Sequence, residues 1–145
     1  MSLVESPPPA VTVEVQSWSV GCLDDLSRVR AELEAKLEAG SRVRPADAAT
    51  QPAAQRIVLV ASELATNALR HGTPPVTVRL LWDHGVATID VVDHNPELPP
   101  VFAEKRAPGA GGFGLLLAKR AARELGWFRA GADEKHVWAC FSVPA

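Results

Sequence analysis

The most regular pattern of apolar and polar positions lies in Ile57–Gly72, which reads IVLVASELATNALRHG. Its residues are good helix formers without internal Pro or Gly, and Gly72 follows as a helix stop. At helical spacing one side of this segment is apolar, and the other side carries a polar stripe. The polar stripe consists of Glu63, Asn67 and His71, and the apolar side of Ile57, Ala61, Leu64, Ala65 and Ala68. The pattern therefore predicts a helix whose apolar side packs on a sheet.

The same reading predicts the other elements of the chain. Alternating apolar and polar residues from Val11 indicate a strand that continues towards Val20, and helical spacing indicates an amphipathic helix over Leu23–Ala39. Ser41–Pro52 is expected to be a connector. A first hairpin is predicted over Val76–Trp82 and Val86–Val92. A third helix follows over Phe113–Leu125, and a second hairpin over Trp127–Ala130 and His136–Val143.

This order, β-α-α-β-β-α-β-β, predicts an α+β fold. We expect a two-layer sandwich, with a mostly antiparallel mixed sheet and the helices on one face. Met1–Ala10 contains three consecutive prolines and few residues to bury, so we expect a disordered tail over 1–10. The remaining residues, 11–145, are predicted to form a single domain.

Composition and charge disfavour several classes of function. A net charge of −2 gives no basis for nonspecific nucleic-acid binding. The sequence shows no signal-peptide pattern and no long apolar run, so a cytoplasmic protein without a membrane span is expected. Cys22 and Cys140 have no metal-ligand spacing and are expected to be buried small hydrophobic residues rather than a disulfide.

The polar stripe has two interpretations from the helix alone. Glu63 and His71 are compatible with a solvated surface. Asn67 is a poor mid-helix residue, because its side chain competes for backbone hydrogen bonds, and this favours a functional role. Asp93, at the predicted end of a strand, is likewise either a turn residue or an acceptor for an exocyclic amine.

A glycine-rich segment, Pro108–Leu115, runs directly into the predicted third helix. Glycines allow backbone N–H groups to approach a ligand, and a helix start adds unpaired donors, so the segment favours phosphate binding. A P-loop is excluded because Gly114 is followed by Leu115-Leu116. A dinucleotide motif is disfavoured because Pro99–Pro108 separates the glycines from the preceding strand.

Taken together, these motifs resemble a known family. Glu63–Gly72 resembles the N-box of the ATPase domain shared by gyrase, Hsp90, sensor histidine kinases and MutL, and the closest likeness is to small bacterial anti-sigma-factor serine kinases. Val91–Asp93 is similar to the start of the first glycine box of that family. Gly112–Leu115 is similar to its second glycine box.

The resemblance implies a Bergerat-type ATP-binding fold and a set of residue roles. Glu63 is implied as the general base and Asn67 as a ligand of Mg²⁺. His71 is implied either to lie near the phosphates or to help order the loop. Asp93 is implied as the acceptor for the adenine amino group. The residues implied to wrap the triphosphate are Gly109, Gly111, Gly112, Phe113, Gly114 and Leu115.

Two segments depart from the family pattern. The first glycine box continues Asp93-His-Asn-Pro-Glu97 without its glycines, and His136 stands where a Thr supports the adenine contact. The first hypothesis is an ATP- and Mg²⁺-dependent serine/threonine-protein kinase that binds a sigma factor and phosphorylates an anti-anti-sigma antagonist. The alternatives are a noncatalytic partner-binding module of the same fold and a detached histidine-kinase catalytic domain. The sequence is compatible with a homodimer.

Overall fold

The computed structural model describes residues 4–8, 13–40, 50–83, 85–97, 99–100 and 120–142. Within them the chain forms seven elements in the order β-α-α-β-β-β-β. Their bounds are β1 Val13–Val20, α1 Asp25–Gly40, α2 Thr50–His71, β2 Val76–Asp83, β3 Val86–Asp93, β4 Glu124–Ala130 and β5 Glu134–Ser142.

The strands form one five-stranded sheet in the order β1-β2-β3-β5-β4, and every pair of neighbours is antiparallel. The hairpin β2–β3 turns through Gly85 and the hairpin β4–β5 through Gly131. Both glycines have a positive φ, of 82° and 67°, which is the conformation these tight turns require.

Both helices pack on the same face of this sheet. The buried residues of α1 and the apolar side of α2 join alternate residues of all five strands in one core cluster. In α1 these residues are Leu26, Val29, Leu33 and Leu37, at the predicted helical spacing. The predicted α+β class and the two-layer arrangement, with helices on one face of an antiparallel sheet, are therefore confirmed.

Two predicted boundaries are wrong. The connector predicted over Ser41–Pro52 ends earlier, because α2 already begins at Thr50. Pro52 is accommodated in the first helical turn, where a backbone N–H has no intrahelical acceptor. The helix predicted over Phe113–Leu125 cannot reach its predicted end, because β4 begins at Glu124 and pairs with β5. Residues 113–119 lie outside the described part of the chain.

The prediction of a disordered tail over 1–10 is wrong for residues 4–8. This segment lies beside β4, where the N–H of Ser6 donates to the carbonyl of Trp127 at 2.8 Å. The indole N–H of Trp138 donates to the carbonyl of Ser6 at 2.8 Å, and Glu5 pairs with Arg129. A buried indole N–H needs an acceptor, and this segment supplies it.

Cys140 is buried as expected, whereas Cys22 is exposed, and both are free thiols. Cys22 lies in the turn before α1, where the Asp25 carboxylate accepts from the N–H groups of Gly21 and Cys22 at 2.8 and 3.3 Å. These hydrogen bonds hold the exposed turn against the first residue of α1. Neither α1 nor α2 is long and apolar enough to span a bilayer.

Candidate functional site

The polar stripe of α2 lies where the sequence predicts it. Leu64 and Ala68 are buried, whereas Glu63, Asn67 and His71 are half-buried. Glu63 and Asn67 are one helical turn apart, and His71 occupies the last residue of the helix. The expected separation between an inward apolar side and an accessible polar stripe is confirmed.

The end of α2 meets the end of β3. The N–H of Gly72 donates to the carbonyl of Ala68 at 2.8 Å, and that of His94 to the carbonyl of Thr73 at 2.8 Å. A Cβ on Gly72 would lie 2.5 Å from Cγ of Asp93 and 2.7 Å from the carbonyl of Ala68. Only glycine allows this approach, so the end of α2, which carries His71, lies against the Asp93 carboxylate.

Asp93 is closely surrounded. Its side chain is 1% exposed, and Oδ2 lies 3.4 Å from Nζ of Lys135. Oδ1 accepts the N–H of Asn95 at 2.8 Å, which forms the turn after β3. Asp93 thus organises its own turn, and its side chain also contacts Lys135 of β5 and lies against Gly72 at the end of α2. Its role as an acceptor for an exocyclic amine stays a prediction.

Lys135 was not among the predicted site residues. It lies directly opposite Asp93 in the β3–β5 pairing, and its side chain is only 4% exposed. Strand alternation places it on the helix-facing side with Val137 and Ala139. A lysine at an apolar strand position indicates a buried anionic partner, but the identity of that partner depends on a pairing between distant segments.

His136 faces the other side of the sheet. Its Nδ1 lies 2.8 Å from Oδ2 of Asp90, and its Nε2 lies 3.2 Å from Glu134. The same Asp90 oxygen accepts from Nη1 of Arg79 at 2.7 Å. Burial alone would lower the pKa of His136, but the hydrogen bonds and charges of Asp90 and Glu134 outweigh burial and raise it. Lys135, and not His136, is therefore the residue of this segment that faces Asp93.

The glycine-rich segment predicted to bind phosphate lies outside the described residues. This applies to Gly109, Gly111, Gly112, Phe113, Gly114 and Leu115. Because these residues are part of the predicted pocket, that pocket stays a prediction. A cavity of about 220 Å³ is present at the opposite end of α2, lined by Ala53, Arg56 and residues 121–123, 141 and 142.

Comparison with known proteins places this arrangement in a family context. A model of the histidine kinase-like ATPase domain family matches residues 22–141. Among solved structures, the NMR structure of the histidine kinase domain of the E. coli osmosensor EnvZ is similar, with 14% identity, 92% of each chain covered and a TM-score of 0.45. The search of curated proteins gives no match. The family match extends from the turn before α1 to the penultimate residue of β5, and so includes the stripe, Asp93 and Lys135.

Proposed function

Because the chain belongs to the histidine kinase-like ATPase domain family, we propose that it is an ATP-binding serine/threonine-protein kinase of the anti-sigma type. In this role it binds a sigma factor in the cytoplasm, and an anti-anti-sigma antagonist releases that factor. The antagonist is then phosphorylated on a hydroxyl group. Bound ATP with Mg²⁺ supplies the phosphoryl group.

The observation that carries the proposal is the position of Glu63 and Asn67. They lie one turn apart on the accessible side of a helix whose other side is fixed in the core. A carboxylate held in this way can accept the proton of an attacking hydroxyl, which is the role we give Glu63. The amide oxygen of Asn67 is a hard oxygen ligand of the type that Mg²⁺ prefers.

We call Glu63 and Asn67 the phosphate end of the candidate site and Asp93 its base end. The two ends fit a nucleotide to different degrees. At the phosphate end, Glu63 and Asn67 offer oxygen donors on a rigid element, and both are half-buried. At the base end, Asp93 already contacts Lys135 and the N–H of Asn95. The support for nucleotide binding therefore comes from the phosphate end.

The contact between Asp93 and Lys135 favours a second candidate function. A noncatalytic module of the same fold would bind the sigma factor and the antagonist with little or no nucleotide. Such a module has no need for an available carboxylate at the base end, and a buried ion pair would simply stabilise that end. Retention of Glu63 and Asn67 favours the kinase.

Phosphoryl transfer to a candidate antagonist tests the proposal. Glu63→Gln keeps the shape of the side chain and removes the base, so we expect ATP to bind while transfer of radiolabelled phosphate falls by roughly 10²–10⁴-fold. Glu34→Gln is the matched control, because Glu34 is exposed on α1, and its transfer rate should equal that of the wild type. If Glu63→Gln transfers phosphate as fast as the wild type, the kinase assignment to this site is wrong.

A further inference from the structure

Lys135 and Asp93 form a nearly completely buried ion pair at the base end of the candidate site. Their side chains are 4% and 1% exposed, and Nζ lies 3.4 Å from Oδ2. The two residues are directly opposite each other on adjacent antiparallel strands, so the backbone pairing holds their Cβ atoms close together. The pair therefore belongs to the sheet itself rather than to a loop.

The surroundings of Asp93 leave little room for rearrangement. Gly72 lies against Cγ and Oδ2 so closely that a Cβ there would be 2.5 Å from Cγ. The N–H of Asn95 holds Oδ1 at 2.8 Å. The carboxylate is thus fixed from three directions, by the end of α2, by the turn after β3 and by Lys135.

The lysine ammonium is chemically similar to the group that Asp93 is expected to recognise. Both the ammonium and the exocyclic amine of adenine are N–H donors to a carboxylate oxygen. The ammonium also carries a full charge, and its contact with a buried carboxylate is stronger than that of a neutral amine. Separating the pair would remove a close opposite charge from two buried groups, which is unfavourable.

We propose that Lys135 takes the place of the base amino group on Asp93, so that the site does not select adenine. This inference rests on the proposed function, because it requires that a nucleotide binds beside α2. Lys135 is then the residue that determines base specificity. The phosphate end supplies the affinity, and the base is accepted whether or not it carries an amino group.

Comparison of two nucleotides that differ at this group tests the proposal. Inosine diphosphate carries a carbonyl where adenosine diphosphate carries the amine. In calorimetric titrations with Mg²⁺, we expect the wild type to bind both about equally, or to prefer the inosine nucleotide, since Lys135 can donate to its carbonyl. Lys135→Met removes the ammonium and keeps the length of the side chain, and we expect it to prefer the adenosine nucleotide by about tenfold or more.

Lys36→Met is the matched control, because Lys36 is exposed on α1. It should show the wild-type ratio of the two affinities. A wild type that already prefers the adenosine nucleotide by about tenfold, with no change in Lys135→Met, overturns the inference and leaves the kinase proposal standing. Binding by Lys135→Met together with no binding by the wild type contradicts both proposals, because each requires that the wild type binds a nucleotide.

Absence of binding in the wild type and in folded Lys135→Met overturns both proposals.

Folding is checked by urea denaturation of Lys135→Met, Asp93→Asn and the double variant. A coupled pair predicts that the double variant loses less stability than the sum of the single variants. Additive losses would show that the two charges do not interact, which also overturns the inference. If Lys135→Met does not fold, Lys135→Thr replaces it. The ratio of the wild-type affinities for the adenosine and inosine nucleotides then still tests the inference by itself.

Discussion

At the scale of single residues, the clearest feature is that Asp90 contacts two basic side chains on the sheet face that lies away from the helices. One carboxylate oxygen, Oδ2, contacts both Nη1 of Arg79 at 2.7 Å and Nδ1 of His136 at 2.8 Å. The ring of Phe128 stacks on His136 with 4.5 Å between centroids. Three neighbouring strands are thereby joined through one buried acid.

This cluster predicts that stability depends on pH through His136. Its pKa in the folded protein is raised above the ordinary value of 6.5 by Asp90 and Glu134, in spite of the opposing effect of burial. The stabilisation is therefore fully present below about pH 6.5 and is lost as pH rises through the folded pKa. We expect the free energy of unfolding, measured in urea, to fall over that interval in the wild type.

His136→Gln should lack this fall, since glutamine does not titrate. NMR titration of the imidazole signals provides the independent measurement, and the signal lost in His136→Gln should have the raised pKa. Equal pH profiles for the wild type and the variant would show that the contacts of His136 with Asp90 and Glu134 do not favour its charged form.

Part of this cluster could have been predicted from the sequence. The turn at Gly85 sets the register of the β2–β3 hairpin, which places Arg79 opposite Asp90. His136 and Lys135 could not be assigned to their partners in the same way. Their pairing with β3 joins segments more than forty residues apart, and a shift of one residue would exchange the faces on which the two side chains lie.

At the scale of elements, the junction between α2 and β3 determines the geometry of the candidate site. The helix ends at His71, and Gly72 then lies directly against Asp93. The apolar side of α2 and its polar stripe were predictable, because both follow from helical periodicity. The close approach at Gly72 was not, because the sequence shows only a helix stop and gives no sign of what the glycine contacts.

Gly72→Ala should therefore destabilise the protein. The added Cβ would lie 2.5 Å from Cγ of Asp93 and 2.7 Å from the carbonyl of Ala68. We expect a loss of about 1–3 kcal/mol in the free energy of unfolding, as for other overpacked sites. Urea denaturation measures it.

Gly21→Ala is the matched control, because the nearest atom to its Cβ would be Oδ2 of Asp25 at 3.5 Å, an ordinary contact. The expected change in that variant is small. If the two variants have the same stability, the end of α2 is not in tight contact with β3, and the described geometry of the base end is wrong.

At the scale of the whole molecule, the sheet separates two sets of polar residues. Lys135 and Asp93 lie on the helix-facing side, and Asp90, Arg79 and His136 lie on the other. The fold class was predictable because each element shows its own periodicity and the hairpins limit the possible pairings. The packing of residues 4–8 beside β4 was not, since a short proline-rich segment shows no strand pattern and is held by the indole of Trp138.

The central claim is that Glu63 and Asn67 form the phosphate end of a nucleotide site. Calorimetric titration with ATP, with and without Mg²⁺, tests it most directly in the wild type and in Asn67→Ala. The claim predicts that the wild type binds ATP more tightly with Mg²⁺ than without, and that Asn67→Ala loses this difference while remaining folded. No binding of ATP with Mg²⁺ by the wild type at millimolar nucleotide would contradict it.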